Sequence, residues 1–189
     1  MRSFLALEVS APVADYLRDV IERLSKRARE VKWVKRDAIH ITLKFLGEID
    51  EPVAGKIHDA LAPIGSRFTP FVVSLQEIDA FPSRRRARVV IARLDKGMDE
   101  MKRIFEEVEE GLTGFDFERE AREFTPHITL GRMRTPAAFP DGDLPPLERM
   151  EFPVDGLVLF KSTLTPAGAI YSPIWKIKLG GDNDEGRTE

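Results

Sequence analysis

Apolar residues recur along the chain with two different periods. Steps of three and four residues from Val13 to Ala28 predict an amphipathic helix over residues 12–29, and the same spacing predicts helices after Asp50 and from Met98 to Leu112. Short runs of β-branched and aromatic residues predict strands at 4–9, 31–34, 39–46, 71–78, 88–93, 123–133, 151–160 and 169–178. Short polar connections favour antiparallel pairing, so the pattern is typical of an α+β fold.

The pattern of turns and prolines indicates a single domain over residues 1–180. Pro136, Pro140, Pro145 and Pro146 disfavour both a helix and a central strand, and we expect a loop between two lobes there. Residues 181–189 are polar and contain glycine, so we expect a disordered C-terminal tail.

Composition and charge exclude several classes of protein. The 189 residues include 29 Lys+Arg and 32 Asp+Glu, a net charge of −3, which argues against coating long nucleic acid through bulk charge but allows a small anionic ligand. The absence of cysteine excludes disulfides, thiolate metal sites and cysteine nucleophiles. No apolar stretch approaches the roughly 18 residues of a membrane span, and no secretory signal is evident, so we expect a cytoplasmic protein without a membrane partner.

The tetrapeptide His-Ile-Thr-Leu occurs twice, at residues 40–43 and at residues 127–130. Successive side chains on a strand point to opposite faces, so the His and the Thr of each motif share one face. We expect the two halves of the chain to be related by an approximate two-fold axis. Such an axis would bring both imidazoles and both hydroxyls around a single substrate atom.

This arrangement suits transfer at phosphorus. One of His40 and His127 can accept a proton from the nucleophile while the other donates one to the leaving oxygen, which predicts a bell-shaped rate profile with limbs between about pH 5 and 8. The hydroxyls of Thr42 and Thr129 can donate to the non-bridging phosphate oxygens. We expect no metal or other cofactor, and the sequence contains neither a His-Glu-x-x-His motif nor a Gly-x-Ser-x-Gly motif.

Four further residues near the motifs are candidates for substrate contact. Arg132 is expected on the same strand face as the second threonine, where it would add a permanent positive charge, and Lys44 is expected to do the same after the first motif. Trp33 and Phe45 could stack on a base, with packing in the core as the alternative for both.

Four arginines, Arg84, Arg85, Arg86 and Arg88, form the one dense basic cluster of the sequence. They fall in the connection of a predicted hairpin. There they could hold the backbone phosphates of an RNA end, although a solvated loop would explain them equally well.

The paired motifs resemble the signatures of the two-histidine phosphoesterase superfamily. The matching segments are HITLKFLGE at 40–48 and FTPHITLGR at 124–132, with RSFLAL at 2–7 and STLTPAG at 162–168 as further marks. The similarity is greatest to the RNA 2′,3′-cyclic phosphodiesterase branch, also called 2′-5′ RNA ligase. It implies a bilobal fold of two pseudo-symmetric, mainly antiparallel sheets with outer helices and a central cleft.

The resemblance also implies a reaction and its partners. The reaction is metal-independent hydrolysis of an RNA or nucleoside 2′,3′-cyclic phosphate to the 2′-phosphate, in which His127 would activate water and His40 would protonate the leaving 3′ oxygen. The same pair, run in reverse, would join RNA ends. We expect a monomer whose partners are RNA ends or nucleoside 2′,3′-cyclic phosphates. The alternatives are action on 2′,5′-linked oligonucleotides or other cyclic nucleotides, and RNA-end binding without catalysis.

Overall fold

The structure, a computed structural model, describes residues 1–139, 146–166 and 168–181. The strands are β1 (Arg2–Glu8), β2 (Val31–Trp33), β3 (His40–Glu48), β4 (Phe71–Phe81), β5 (Ala87–Leu94), β6 (His127–Ala137), β7 (Glu151–Val154), β8 (Gly156–Thr165) and β9 (Gly168–Lys178). The α-helices are α1 (Ala11–Ser25), α2 (Glu51–Leu61), α3 (Pro63–Arg67) and α4 (Met98–Gly111). Single 3₁₀ turns occupy Arg36–Ala38 and Arg84–Arg86.

The strands form two sheets, one for each lobe. The first sheet has the order β3-β1-β8-β9, and the second sheet has the order β2-β6-β5-β4-β7. Each of the pairings recorded for these strands is antiparallel. The predicted α+β, bilobal architecture with one motif strand in each sheet is therefore confirmed.

The single strand predicted over 151–160 is wrong, because the chain changes sheets within it. β7 pairs with β4 in the second sheet, whereas β8 pairs with β1 and β9 in the first. The change follows Asp155, and the next residue is Gly156, where a Cβ would lie 2.5 Å from the Lys176 side chain and 3.0 Å from the Ile177 carbonyl oxygen. β7 buries alternate residues and β8 begins with four buried residues in a row, and both patterns are typical of strands, so the hydrophobic pattern does not reveal the break.

Prolines account for two other differences from the predicted elements. The second helix ends at Leu61, just before the stop expected at Pro63, but Pro63 then begins the unexpected α3, which suits a residue whose missing N–H is not needed in a first helical turn. The strand expected at 123–133 begins only at His127 and continues through Pro136. This is possible because the pairing of β2 with β6 ends at Met133, which frees one edge of β6. Residues 140–145 of the expected interlobe loop and residues 182–189 of the expected tail lie outside the described residues.

The main hydrophobic core joins the helices to the sheet faces that point away from the motif threonines. Leu17 of α1, Leu7 of β1 and Ile41 of β3 are typical members, and each is fully buried. Across an antiparallel ladder, paired residues point to the same side of the sheet. Ala6 pairs with Thr42, and Ile91 pairs with Thr129, and both apolar residues are fully buried on the motif faces. The motif faces of the two sheets therefore carry buried apolar positions of their own.

Two glycines give a matched test of the backbone geometry. Gly97, before α4, has a φ of +76°, and a Cβ there would lie 2.8 Å from the Val72 carbonyl oxygen. We expect Gly97→Ala to lower the free energy of unfolding by about 1–3 kcal/mol. Gly55, inside α2, has open space around it, so Gly55→Ala should raise it by about 0.5–1 kcal/mol. Urea unfolding followed by circular dichroism measures both, and effects of the same sign would contradict this geometry.

Candidate active site

His40 and His127 each occupy the first position of a motif strand, His40 in β3 and His127 in β6. The two strands belong to different sheets, yet Cα atoms of β3 and β6 approach within 8 Å of each other. The positive charge of a protonated His127 contributes to lowering the pKa of His40. Two residues that lie 87 positions apart in the sequence are therefore near enough to interact electrostatically.

Each imidazole is held by a backbone group two residues earlier in the chain. The distance from His127 Nδ1 to the Thr125 carbonyl oxygen is 2.7 Å. A carbonyl oxygen can only accept, so Nδ1 carries the hydrogen and Nε2 of neutral His127 is left to take up a proton. The ring of His40 makes the corresponding backbone hydrogen bond to Ala38. The two halves of the chain thus repeat the motif and also the support that orients its histidine.

Burial is the largest influence on both histidines. It lowers the pKa of His40 to about 4, with smaller contributions in the same direction from Arg132 and His127. It also lowers the pKa of His127, where Arg132 and Arg93 act in the same direction. The backbone hydrogen bonds oppose these shifts without cancelling them. Both rings are therefore neutral at pH 7 in the unliganded protein, and an anionic ligand between them would favour protonation of one.

The first motif is followed by a β-bulge that changes which side chains face the histidine. Thr42 and Lys44 pair with consecutive residues of β1, so Leu43 has no partner across the ladder. A bulge of one residue reverses the alternation of the side chains beyond it. Phe45, instead of Lys44, consequently shares the strand face of Thr42. The expectation that Lys44 would meet the substrate phosphate is wrong.

Lys44 instead forms a buried ion pair. Its Nζ donates to Glu109 Oε1 at 2.6 Å and to the Glu118 carbonyl oxygen at 2.8 Å. The second carboxylate oxygen of Glu109 accepts from the Glu120 backbone N–H at 3.3 Å. This network ties β3 to α4 and to the segment that leads into His127, so Lys44 links the surroundings of the two motifs instead of binding a ligand.

The second motif carries its bulge at the equivalent residue. Thr129 and Gly131 pair with consecutive residues of β5, and Leu130 has no partner. Regular alternation would place Arg132, three residues after Thr129, on the opposite face, and the bulge returns it to the face of Thr129. Its charge lowers the pKa of both histidines, as expected for a guanidinium near both rings. Arg132 and Phe45 thus occupy equivalent positions in the two halves.

The hydroxyl groups of the two motif threonines are available to a ligand. Thr42 and Thr129 are both half-buried on the strand faces that carry the histidines. Within the part of the chain that the structure describes, neither hydroxyl makes a hydrogen bond. Both can therefore donate to a ligand that enters between the sheets.

Aromatic side chains surround His40 and open onto a cavity. The ring centroids of Phe4 and Tyr171 lie 4.8 Å and 5.3 Å from that of His40, and Phe45 lies 5.9 Å from Phe4. An open cavity of about 110 Å³ is lined by these three aromatic residues together with polar groups that include Ser162. The ring of Phe45 is 63% exposed. The cavity therefore offers an aromatic surface beside the first histidine.

A different set of contacts surrounds His127. The ring of Phe81 meets it edge-on at 5.1 Å, and the guanidinium of Arg93 lies 5.8 Å from the Phe81 centroid. Arg93 Nε also pairs with Asp79 Oδ2 at 2.5 Å. Arg93 was not among the residues that the sequence indicated as candidates for the site. Its position directly across the ladder from His127 depends on the register of β5 and β6, which the sequence pattern does not determine.

Trp33 does not join this group. It pairs with Gly131 across β2 and β6, on the sheet face opposite to Arg132, and packs against the main core. Its indole N–H donates to the Ala28 carbonyl oxygen at 3.2 Å. A Cβ on Gly131 would lie 3.0 Å from the Trp33 ring, so the glycine permits this packing. The position of Trp33 thus favours the packing alternative over stacking on a base.

The described residues contain neither a metal-binding cluster nor a membrane-spanning helix. Residues 1–139, 146–166 and 168–181 contain no group of three or more His, Asp or Glu side chains placed to hold a metal ion. None of the described helices has both the length and the apolar character needed to cross a membrane.

Comparisons with known sequences match most of the chain. A family model described as LigT like Phosphoesterase matches residues 7–91 and 94–171. The chain is 32% identical over 188 residues to the RNA 2′,3′-cyclic phosphodiesterase of Thermotoga maritima, covering 96% of this chain and 97% of the relative. It is 37% identical over 153 residues to the protein of the same name from Aeropyrum pernix, covering 78% and 86%.

Comparisons with solved structures agree with this match. A crystal structure of a Thermus thermophilus protein superposes with a TM-score of 0.81 at 28% identity, covering 96% of this chain and 100% of the other. Escherichia coli LigT complexed with 3′-AMP gives a TM-score of 0.72 at 22% identity, covering 95% and 98%, and supports the fold alone. The chain is therefore a member of the LigT-like phosphoesterase family, within the two-histidine superfamily that its repeated motifs resemble.

Proposed function

We propose that this protein hydrolyses a 2′,3′-cyclic phosphate, on an RNA end or a nucleoside, to the 2′-phosphate. The observation that carries the proposal is the approach of the two motif strands from different sheets, which brings His40 and His127 near enough for their charges to interact. The relatives from Thermotoga maritima and Aeropyrum pernix, both called RNA 2′,3′-cyclic phosphodiesterases, support the substrate class. A cytoplasmic location and a monomeric state stay predictions.

The reaction needs one base and one acid on opposite sides of the phosphorus atom. One imidazole takes a proton from water as the water oxygen bonds to phosphorus. The other imidazole gives its proton to the 3′ oxygen as the P–O3′ bond breaks. The assignment of His127 to the water and of His40 to the leaving oxygen stays a prediction. A 5′-hydroxyl that attacks in place of water would form a P–O5′ bond as the P–O3′ bond breaks, and would join two RNA ends by a 2′,5′ linkage through the same groups.

Stabilisation of the phosphate falls to groups that face both rings. Negative charge builds up on the non-bridging oxygens as water attacks, and positioned donors in a dry site stabilise such charge strongly. Thr42 and Thr129 have free hydroxyls on the motif faces, and Arg132 has no ion pair within the described residues. We assign these three side chains to the phosphate.

The cavity beside His40 is suited to the nucleoside. Phe45 and Tyr171 present aromatic surface there, packed on the buried ring of Phe4, and Ser162 adds a hydroxyl that can hydrogen-bond a base or a ribose. Stacking on aromatic rings tolerates every base, so this subsite fits a nucleotide of any identity. We therefore propose Phe45, at the exposed rim, as a substrate-contacting residue.

Replacing either motif histidine tests the acid–base pair. We expect His40→Ala and His127→Ala each to lower kcat on nucleoside 2′,3′-cyclic phosphates by about 10²–10⁴-fold, because each removes one proton-transfer step. The assay contains EDTA and follows the 2′-phosphate product. His58→Ala is the matched control, since His58 lies in α2 against Trp175 at 5.3 Å, outside the site. Full turnover by either motif variant, or inhibition of the wild type by EDTA, would count against the proposal.

The pH dependence follows from the lowered pKa values. The active form holds one neutral and one protonated imidazole, and the pKa of both rings lies below 6.5, with that of His40 at about 4. We therefore expect the maximum of kcat/KM below pH 6.5, with the acidic limb below the range of pH 5 to 8 that unperturbed imidazoles predicted.

The Arg132→Gln variant tests the direction in which the charge of Arg132 shifts the pH profile of kcat/KM. Loss of its positive charge makes protonation easier, so the pKa of both histidines rises and the kcat/KM profile moves to higher pH, while kcat falls. Arg29→Gln, in an exposed position after α1, removes the same charge elsewhere and should leave the profile in place. A profile that is flat, or that moves to lower pH in Arg132→Gln, is the contrary result.

A further inference from the structure

The proposed site leaves three arginines unused at the connection between β4 and β5. Arg85, Arg86 and Arg88, which we call the basic tip, are all exposed. None of the three forms an ion pair within the described residues. Like charges this close in the sequence repel one another, and a protein of net charge −3 has acidic residues available to pair with them. An unpaired cluster of this kind suits an anionic partner.

The fourth arginine of the cluster fixes the basic tip in place. Arg84 Nε donates to Asp79 Oδ1 at 3.2 Å, and Arg84 Nη2 donates to the Ile78 carbonyl oxygen at 2.5 Å. The backbone N–H of Phe139, which follows β6, donates to the Arg84 carbonyl oxygen at 2.7 Å. The connection is thus held from both β4 and the end of β6. Its three unpaired arginines are presented on a supported backbone.

The same network connects the basic tip to the second histidine. Asp79 accepts from Arg84 and also from Arg93, whose guanidinium lies over Phe81 beside His127. Burial alone would raise the pKa of Asp79, but the Ala80 N–H and the two guanidinium groups outweigh it and hold that pKa below its usual value. Asp79 therefore stays charged, and its charge is balanced by two arginines.

The basic tip also adjoins the strand that carries Arg132. Val89, next to Arg88 in β5, pairs directly with Arg132 in β6. The tip therefore begins one residue along β5 from the position that lies across the ladder from Arg132. The tip is thus next, along the strand, to the part of β6 that carries the arginine assigned to the phosphate.

We propose that the basic tip binds backbone phosphates of an RNA strand whose terminal cyclic phosphate lies between the two histidines. This inference rests on the proposed function and narrows its substrate class to RNA ends. A nucleoside 2′,3′-cyclic phosphate brings one phosphate, which the site already engages, whereas a strand brings one more for each nucleotide. Guanidinium groups bind phosphate oxygens in a bidentate manner, and such contacts carry no sequence information. The tip therefore favours strands over mononucleotides whatever their sequence.

The test compares two substrates in a charge-neutralised variant. In the triple variant Arg85→Gln, Arg86→Gln, Arg88→Gln, we expect kcat/KM to fall roughly tenfold or more on a ten-nucleotide RNA ending in a 2′,3′-cyclic phosphate. On the nucleoside 2′,3′-cyclic phosphate it should stay within about twofold, since that substrate does not reach the tip. The slope of log affinity against log salt for the RNA should become shallower by about 2, because three phosphate contacts to a single strand are lost.

Two further variants make the result specific. The control Arg23→Gln, Lys26→Gln, Arg29→Gln removes the same charge from exposed positions at the end of α1 and should change neither substrate's kcat/KM. Replacing the three tip arginines by lysine keeps the charge and should keep the salt slope. An equal loss on both substrates, or an equal loss in the α1 control, would overturn the proposal.

Failure of the proposed function gives a separate result. If the wild type opens neither substrate, the cyclic phosphodiesterase assignment fails. The salt dependence of equilibrium RNA binding then still reports on the basic tip alone. If the wild type opens both substrates and the tip variant matches it on the RNA, the function stands and the tip proposal falls.

Discussion

Two half-buried imidazoles lie near an exposed guanidinium, and burial of the rings, reinforced by repulsion among the positive charges, governs their protonation. Protonating both His40 and His127 would place two positive charges on partly buried rings that already lie near the charge of Arg132. Burial and these charges keep the rings neutral in the unliganded protein. A phosphate between them supplies the negative charge that makes one protonated ring favourable. The site thus sets the conditions for an acid and a base only when its anionic ligand is present.

The two copies of the motif have similar backbone structures, but these place different side chains beside the histidines. Each half places a histidine at a strand start, bonds it to the backbone two residues earlier, and follows the threonine with a bulge. The bulge returns one further residue to the active face. That residue is Phe45 in the first half and Arg132 in the second. Identical backbone devices thereby give an aromatic surface beside one histidine and a charge near both.

The sequence was sufficient for the features that depend on local patterning. The hydrophobic periods and the short connections indicated the strands and the α+β arrangement, and the duplicated tetrapeptide indicated two related halves and the shared face of His and Thr. Features that depend on a departure from regular strand geometry could not be predicted from the sequence. A bulge at Leu43 turns Lys44 inward, toward a carboxylate 65 residues later in the chain, and no periodicity signals such a partner. The register that sets Arg93 opposite His127, and the change of sheet after Asp155, likewise arise from long-range pairing.

An NMR titration of the imidazole resonances, in the wild type and in His127→Asn, measures most directly whether the two histidine rings share one site. If the two rings share one site, His40 titrates near pH 4 in the wild type. Its pKa should then rise when the neighbouring imidazole can no longer carry a charge, and rise in the wild type when a nucleoside 2′-phosphate is bound. An ordinary pKa near 6.5 for His40, unchanged by the substitution and by the ligand, would show that the rings act independently and would contradict the account.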